Sequence, residues 1–161
     1  MSNSGFAHFM RAAMRQAEIA AAHGEIPVGA VIVRDGVILA RGRNRREEGG
    51  GALAHAECEA IRKACKKLGT WHLDGCELYV TLEPCPMCAG AAINARIARV
   101  IFGAYDPKAG SCGSMIDLFA LPYNHRPELI GGVLEEACSE QLTSFFRALR
   151  RRRKEERAQG R

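Results

Sequence analysis

No apolar run in this 161-residue chain approaches the roughly 20 residues that a bilayer-spanning helix needs, so no membrane segment is expected. No secretory signal is expected either. The first amphipathic stretch carries Arg11, Arg15 and Glu18, where a cleavable segment would be uniformly apolar. The sequence has no internal repeat and no linker that would divide it. These absences point to a single globular domain over residues 1–161, working in the cytoplasm. The cysteine count is odd, at seven. Without an export signal, the cysteines read as reduced thiols or metal ligands and not as a disulfide framework. A hydrophobic content of 47% with 25% charged residues excludes disorder and leaves enough apolar surface for a core.

The formal net charge of +5 is unevenly placed. Arg147, Arg150, Arg151, Arg152, Arg153, Lys154, Arg157 and Arg161 crowd the end of the chain, opposed there only by Glu155 and Glu156. The rest of the chain is therefore close to neutral. A neutral body with one basic end suits an anionic partner touched from one side. A solvated helix end, whose arginines complement the helix dipole, accounts for the same residues.

Phe6, Phe9, Met10, Ala13, Met14 and Ala17 recur at helical spacing and predict an opening helix that ends near His23 and Gly24. Residues 27–33 form a β-branched run. The Asp35-Gly36 pair that follows is a hairpin turn signal, and Val37 to Ala40 returns as a second strand. Residues 45–51 read as a mobile polar loop. A helix is expected over 54–68, with Ile61, Ala64, Cys65 and Leu68 inward, and a strand over 77–81. A small-residue helix over 85–95 precedes a strand over 99–103 and a loop over 105–114. A weaker strand is expected over 129–133. The basic helix and tail then cover about 134–161. Strands alternating with helices after a hairpin imply an α/β fold with a mixed sheet covered by helices.

Cys85 and Cys88 lie three residues apart at a helix start, so both sulfurs project from one face. Helix N-termini favour thiolates, the metal-binding form. A redox pair would need only these two, and Cys58, Cys65, Cys76 and Cys138 read as small buried hydrophobes. His55, however, opens another predicted helix. One imidazole with two thiolates gives three ligands, and a tetrahedral zinc keeps its fourth position for water. Glu57 discriminates between a structural and a reactive centre. At a helix start it can reach round to the open position, where a purely structural zinc site has no use for a carboxylate. The expected chemistry is hydrolytic: Glu57 takes a proton from water and delivers protons to a departing ammonia.

His55-Ala56-Glu57 followed by Pro84-Cys85-x-x-Cys88 is the signature of zinc nucleoside and nucleobase deaminases. Around it, Leu78-Tyr79-Val80-Thr81-Leu82-Glu83 and Ala89-Gly90-Ala91 resemble the metal-site segment of bacterial tRNA-specific adenosine deaminases. The likeness to that family continues through Pro27-Val28-Gly29-Ala30-Val31, Gly42-x-Asn44, Arg96-Ile97, Phe102-Gly103-Ala104-x-Asp106-x-Lys108 and Asn124-His125-Arg126. It ends at Phe145-Phe146-Arg147 and spans nearly the whole chain. The resemblance implies a three-layer cytidine-deaminase-like fold, a five-stranded mixed sheet with helices on both faces. It implies one zinc per subunit on His55, Cys85 and Cys88, proton transfer by Glu57, and a homodimer whose interface lies near the small-residue helix. The activity implied is hydrolysis of adenosine to inosine at the wobble position of a tRNA anticodon. Asn44 falls where the family holds the flipped base. Asp106 and Lys108 fall where it touches the RNA backbone, and Phe145, Phe146 and Arg147 on the helix that contacts the anticodon loop. Core packing is the commoner fate of Phe, so at least one of these two is expected in the core.

Two positions depart from the family pattern. Gly51-Ala52-Leu53 stands where an Asp-Pro-Thr segment usually leads into the His55 helix, so a looser approach loop is expected. Cys112 stands where a small residue is usual. It could pass for a fourth ligand, although a closed coordination shell would exclude the reactive water. Two other functions compete with tRNA editing. A free-base or nucleoside deaminase, of guanine for example, would share the zinc motif but has no use for an arginine-rich tail. A non-catalytic zinc module that binds RNA would use the tail but not Glu57.

Overall fold

The computed structural model describes residues 3–160. Its centre is a five-stranded sheet with strand order β2-β1-β3-β4-β5. β1 (Gly29–Arg34) and β2 (Val37–Arg43) form the expected hairpin, closed by Asp35 and Gly36. Both turn residues have positive φ, 51° and 75°, the twist a two-residue hairpin needs. β3 (Glu77–Leu82) pairs antiparallel with β1 and parallel with β4 (Arg99–Ala104). The short β5 (Glu128–Ile130) extends the parallel half. The sheet is therefore mixed, as the alternation of elements implies.

Strand side chains alternate between two faces, and each face has its own core. Ala30, Ile32, Leu78, Val80, Val100 and Phe102 pack under α2 (Ala56–Leu68) and α3 (Pro86–Asn94). Val31, Val33, Tyr79 and Ile101 pack under α1 (Asn3–Ala22) and α4 (Glu135–Ala158). The predicted inner face of α1 is buried at Phe6, Phe9, Met10, Ala13 and Ala17.

Differences from expectation are local. Residues 45–51 are not a free loop: Arg46–Gly50 forms one irregular helical turn, with Gly49 at φ 98°. The approach loop is closed by an Ala54 N–H to Gly51 carbonyl bond of 3.1 Å, with Leu53 left exposed. Cys58 and Cys65 are only half-buried, because they lie at the edge of the α2 face that meets the sheet. Arg161 of the basic end lies outside the described residues.

No helix among the described residues is long and apolar enough to cross a membrane.

Candidate active site

α2 and α3 begin at the same end of the sheet and aim their N-termini at one point. His55 is the N-cap of α2, in extended conformation, and Glu57 lies in the first turn. Cys85 is the N-cap of α3, directly after β3 and Pro84, and Cys88 lies one turn in. In neither helix does the cap side chain bond the backbone, which leaves the imidazole and the thiol free for other partners. The positive ends of both helix dipoles favour thiolate at this point.

The His55 Nδ1 lies 3.6 Å from each of the Cys85 and Cys88 sulfurs. Among the described residues these three form the one group of ligand atoms suited to a metal, all within 4.8 Å of one another. Tetrahedral zinc with ordinary Zn–N and Zn–S bonds sets ligand nitrogen and sulfur about 3.6 Å apart. The donor set and spacing therefore fit the ion. Hydrogen bonds from Cys88 and His55 draw the Cys85 thiol down to about 4. The Cys85 contact raises the His55 pKa, and the Cys58 and Cys85 contacts raise that of Cys88.

Glu57 is 4% exposed, and its Oε1 has no hydrogen-bond partner. Burial lifts its pKa from 4.5 to about 7, reinforced by the Cys85 charge and opposed by its own backbone amide and by His55. A buried carboxyl with a spare oxygen beside a three-ligand centre is equipped to accept and return a proton near neutral pH.

This centre is the floor of a cavity of about 690 Å³. Asn44 and Arg46 line one side, Asp106 and Lys108 the other, and Phe146 of α4 closes the rim. Asn44 is 5% exposed; its amide donates to the Ile26 carbonyl, and its oxygen accepts the Arg46 N–H. It thus fixes its own turn while facing the cavity. The Asp106 carboxylate likewise accepts the amides of Lys108 and Ala109.

Phe145 and Arg147 lie off the cavity, since neighbours on a helix are turned about 100° from Phe146. Phe145 sits half-buried in a groove between α1 and α4, and Arg147 lies 3.9 Å from Glu140 on the surface. Neither Phe reaches the core, contrary to expectation, because this part of α4 already runs along the edge of the body. Cys112 is buried in the hydrophobic core and stands outside the ligand group.

Three residues near the site were given no role by the sequence, although Glu83 ends a stretch that carries the family likeness. The Cys58 sulfur lies 3.8 Å from that of Cys88. Glu25 and Glu83 are both buried carboxylates. Burial alone would raise the Glu83 pKa, but the Ser114 hydroxyl and the amides of Asp106, Ser114 and Cys112 outweigh it and hold the carboxyl below its ordinary value.

Comparison with known proteins agrees with this geometry. The family model for MafB19-like deaminases matches residues 5–150. A tRNA-specific adenosine deaminase of Bacillus subtilis (strain 168) is 50% identical over 147 residues, covering 91% of each chain. A solved structure from studies of A-to-I editing by tRNA deaminases at the wobble position superposes with a TM-score of 0.81 at 46% identity, covering 84% of this chain and 99% of that one. A guanine deaminase from Nitrosomonas europaea superposes at 0.73 with 25% identity, covering 86% of this chain and 83% of that one. At this identity and coverage, the chain belongs to the MafB19-like deaminase family and, within it, to the tRNA-specific adenosine deaminases.

Proposed function

We propose that this chain is a zinc-dependent hydrolase that converts adenosine to inosine at the wobble position of a tRNA anticodon. The observation that carries the reading is the unpartnered Glu57 oxygen, buried beside His55, Cys85 and Cys88 at the floor of a cavity of about 690 Å³. When bound to those three residues, zinc supplies a Lewis acid that makes water nucleophilic near neutral pH. Glu57 takes the proton from the attacking water. It passes that proton to the ring nitrogen, then takes the second from the hydroxyl now on the attacked carbon and passes it to the amine, so that the C–N bond breaks, the carbonyl forms and ammonia leaves.

The remaining residues bind and orient. Asn44 holds the target base from one wall. Asp106 and Lys108 meet the RNA backbone from the other, and Phe146 packs against the nucleotide at the rim. A base must leave its stack to enter such a cavity, and an anticodon loop offers bases that are already unpaired. Phe145, Arg147 and the basic end of α4 extend the contact along the RNA.

The whole chain acts as one deaminase domain, in the cytoplasm, as a homodimer. Gly90 on α3 faces open space, so a second copy can approach this helix closely. Sedimentation at micromolar concentration showing only a 17.5 kDa species would overturn the dimer.

The test of function is direct. Zinc-loaded protein is incubated separately with total tRNA, adenosine and guanine. Inosine at the wobble position of tRNA is expected, with free adenosine and guanine left unchanged. Xanthine from guanine, without inosine in tRNA, would replace this reading with a free-base deaminase.

A further inference from the structure

The side walls of the cavity are loops, and a polar loop is ordinarily the least ordered part of a fold. Here each wall is folded around one buried carboxylate. Glu83, 2% exposed, gathers the 106–114 wall. Its Oε1 accepts the Asp106 amide at 3.0 Å and the Ser114 hydroxyl, and its Oε2 accepts the Cys112 amide at 3.1 Å and the Ser114 amide at 3.0 Å. Four donors from both ends of the loop thus converge on one side chain. Gly110 completes the enclosure, because a Cβ there would run into the Glu83 carboxyl group.

Glu25, 1% exposed, gathers the opposite wall. Its Oε2 accepts the Glu48 amide at 2.8 Å, and both its oxygens accept the Glu47 amide, at 3.0 and 3.1 Å. This anchors the helical turn that carries Arg46 and follows Asn44. The contrast with Glu57 is chemical. Glu57 has an oxygen to spare, whereas Glu25 and Glu83 are committed to protein donors and have no free role in proton transfer.

We propose that Glu25 and Glu83 are a pair of positioning residues, one internal anion per wall, whose bonds to backbone amides set the spacing of the two loops that flank the substrate base. The identity of that base rests on the function proposed above; the clasping of the walls does not. Hydrogen bonds to an ionised acceptor are about twice as strong as neutral ones, so each carboxylate holds its wall more firmly than a neutral side chain would. Gln is nearly isosteric, but it removes the charge and turns an NH2 group toward N–H donors, leaving them unsatisfied.

The test uses the zinc-loaded full-length chain with Glu83→Gln, Glu25→Gln and Ser114→Ala, the last removing one of the four donors to Glu83. Two quantities are read: amide hydrogen exchange by peptide, and KM and kcat on an anticodon stem-loop RNA. Glu83→Gln is expected to speed exchange about tenfold in 106–114 and leave 44–50 unchanged, and Glu25→Gln to do the reverse. KM should rise about tenfold in each while kcat stays within about threefold, since the loops bind substrate and do not act on the reacting atoms. Ser114→Ala should move the same quantities in the same direction by less. It keeps the test open if a Gln variant fails to fold. Unchanged exchange in the matching wall, or a rise spread over the whole sheet with KM unaltered, overturns the proposal. So does a fall in kcat at constant KM, which would place the carboxylate at the chemistry. If the wild-type protein makes no inosine, the substrate reading fails, and the exchange measurements still decide the clasps.

Discussion

Glu57 and Cys88 lie within one small volume, yet replacing them should give opposite failures. Glu57→Gln leaves His55, Cys85 and Cys88 in place, so zinc content should stay at one per chain while turnover falls about 10²–10⁴-fold. Cys88→Ala removes one of the three donor groups, itself fully buried, so metal and thermal stability should be lost together. Metal analysis beside single-turnover assays separates the two. The metal-stripped protein adds a pH signature. Burial raises Glu57 to about 7, so between its ordinary 4.5 and about 7 the folded state holds a proton that the unfolded chain releases. The Glu57 contribution to stability is therefore full below the ordinary value and is lost as pH rises through 7, by on the order of 3 kcal/mol, while Cys85, held down at about 4, contributes in the opposite sense. Denaturant melts of Glu57→Gln should lack that fall; an identical decline would move its cause elsewhere. That His55, Cys85 and Cys88 come together was legible in the sequence, because an imidazole with two thiols at helix starts is a zinc donor set. Glu25 and Glu83 were not, since a carboxylate that binds only backbone amides leaves no partner residue to find.

At the scale of elements, the site depends on how closely α2 lies on β2. Gly42 in β2 is where they touch: a Cβ there would meet the Ala56 carbonyl oxygen, and the Ala60 amide nitrogen at 2.6 Å. Backbone on both sides cannot give way as a flexible side chain could. Gly42→Ala should therefore push α2 outward, together with the His55 and Glu57 it carries. About 1–3 kcal/mol of stability should be lost, and zinc affinity should fall with it. Calorimetry and a competitive zinc titration check this; unchanged affinity would mean that α2 and its ligands are held independently of β2. The same contact explains what could be read in advance. Period-two and helical patterns gave the strands and helices, because burial on one face dictates them. The turn at Arg46–Gly50 escaped such reading: its order comes from Glu25, about 20 residues earlier, and no local pattern of polar and glycine residues encodes that bond.

The whole molecule is a near-neutral body with a basic arm. α4 is tied to the sheet through its first half, where Cys138 is buried and Leu142 packs on the core. Residues 150–160 are all exposed, so the last turns of the helix stand clear of the fold. Among the described residues Arg150, Arg151, Arg152, Arg153, Lys154 and Arg157 make no ion pair, so this exposed stretch is free to contact an anionic chain. If these residues bind RNA phosphates, each contact releases condensed cations, and the log–log slope of affinity against salt carries about −0.7 per phosphate on a single strand. Replacing Arg150, Arg151, Arg152 and Arg153 with Gln keeps good helix formers in place and should flatten the slope by up to about 3. KM for tRNA should rise. Zinc content and turnover at saturating RNA should hold, because the arm shares no contact with the cavity floor. A nucleobase cannot bridge from that floor to the arm, so any activity on a free base would be indifferent to the change. Equal salt slopes for the two proteins would reduce the arm to a solvated helix end and leave recognition to the cavity rim.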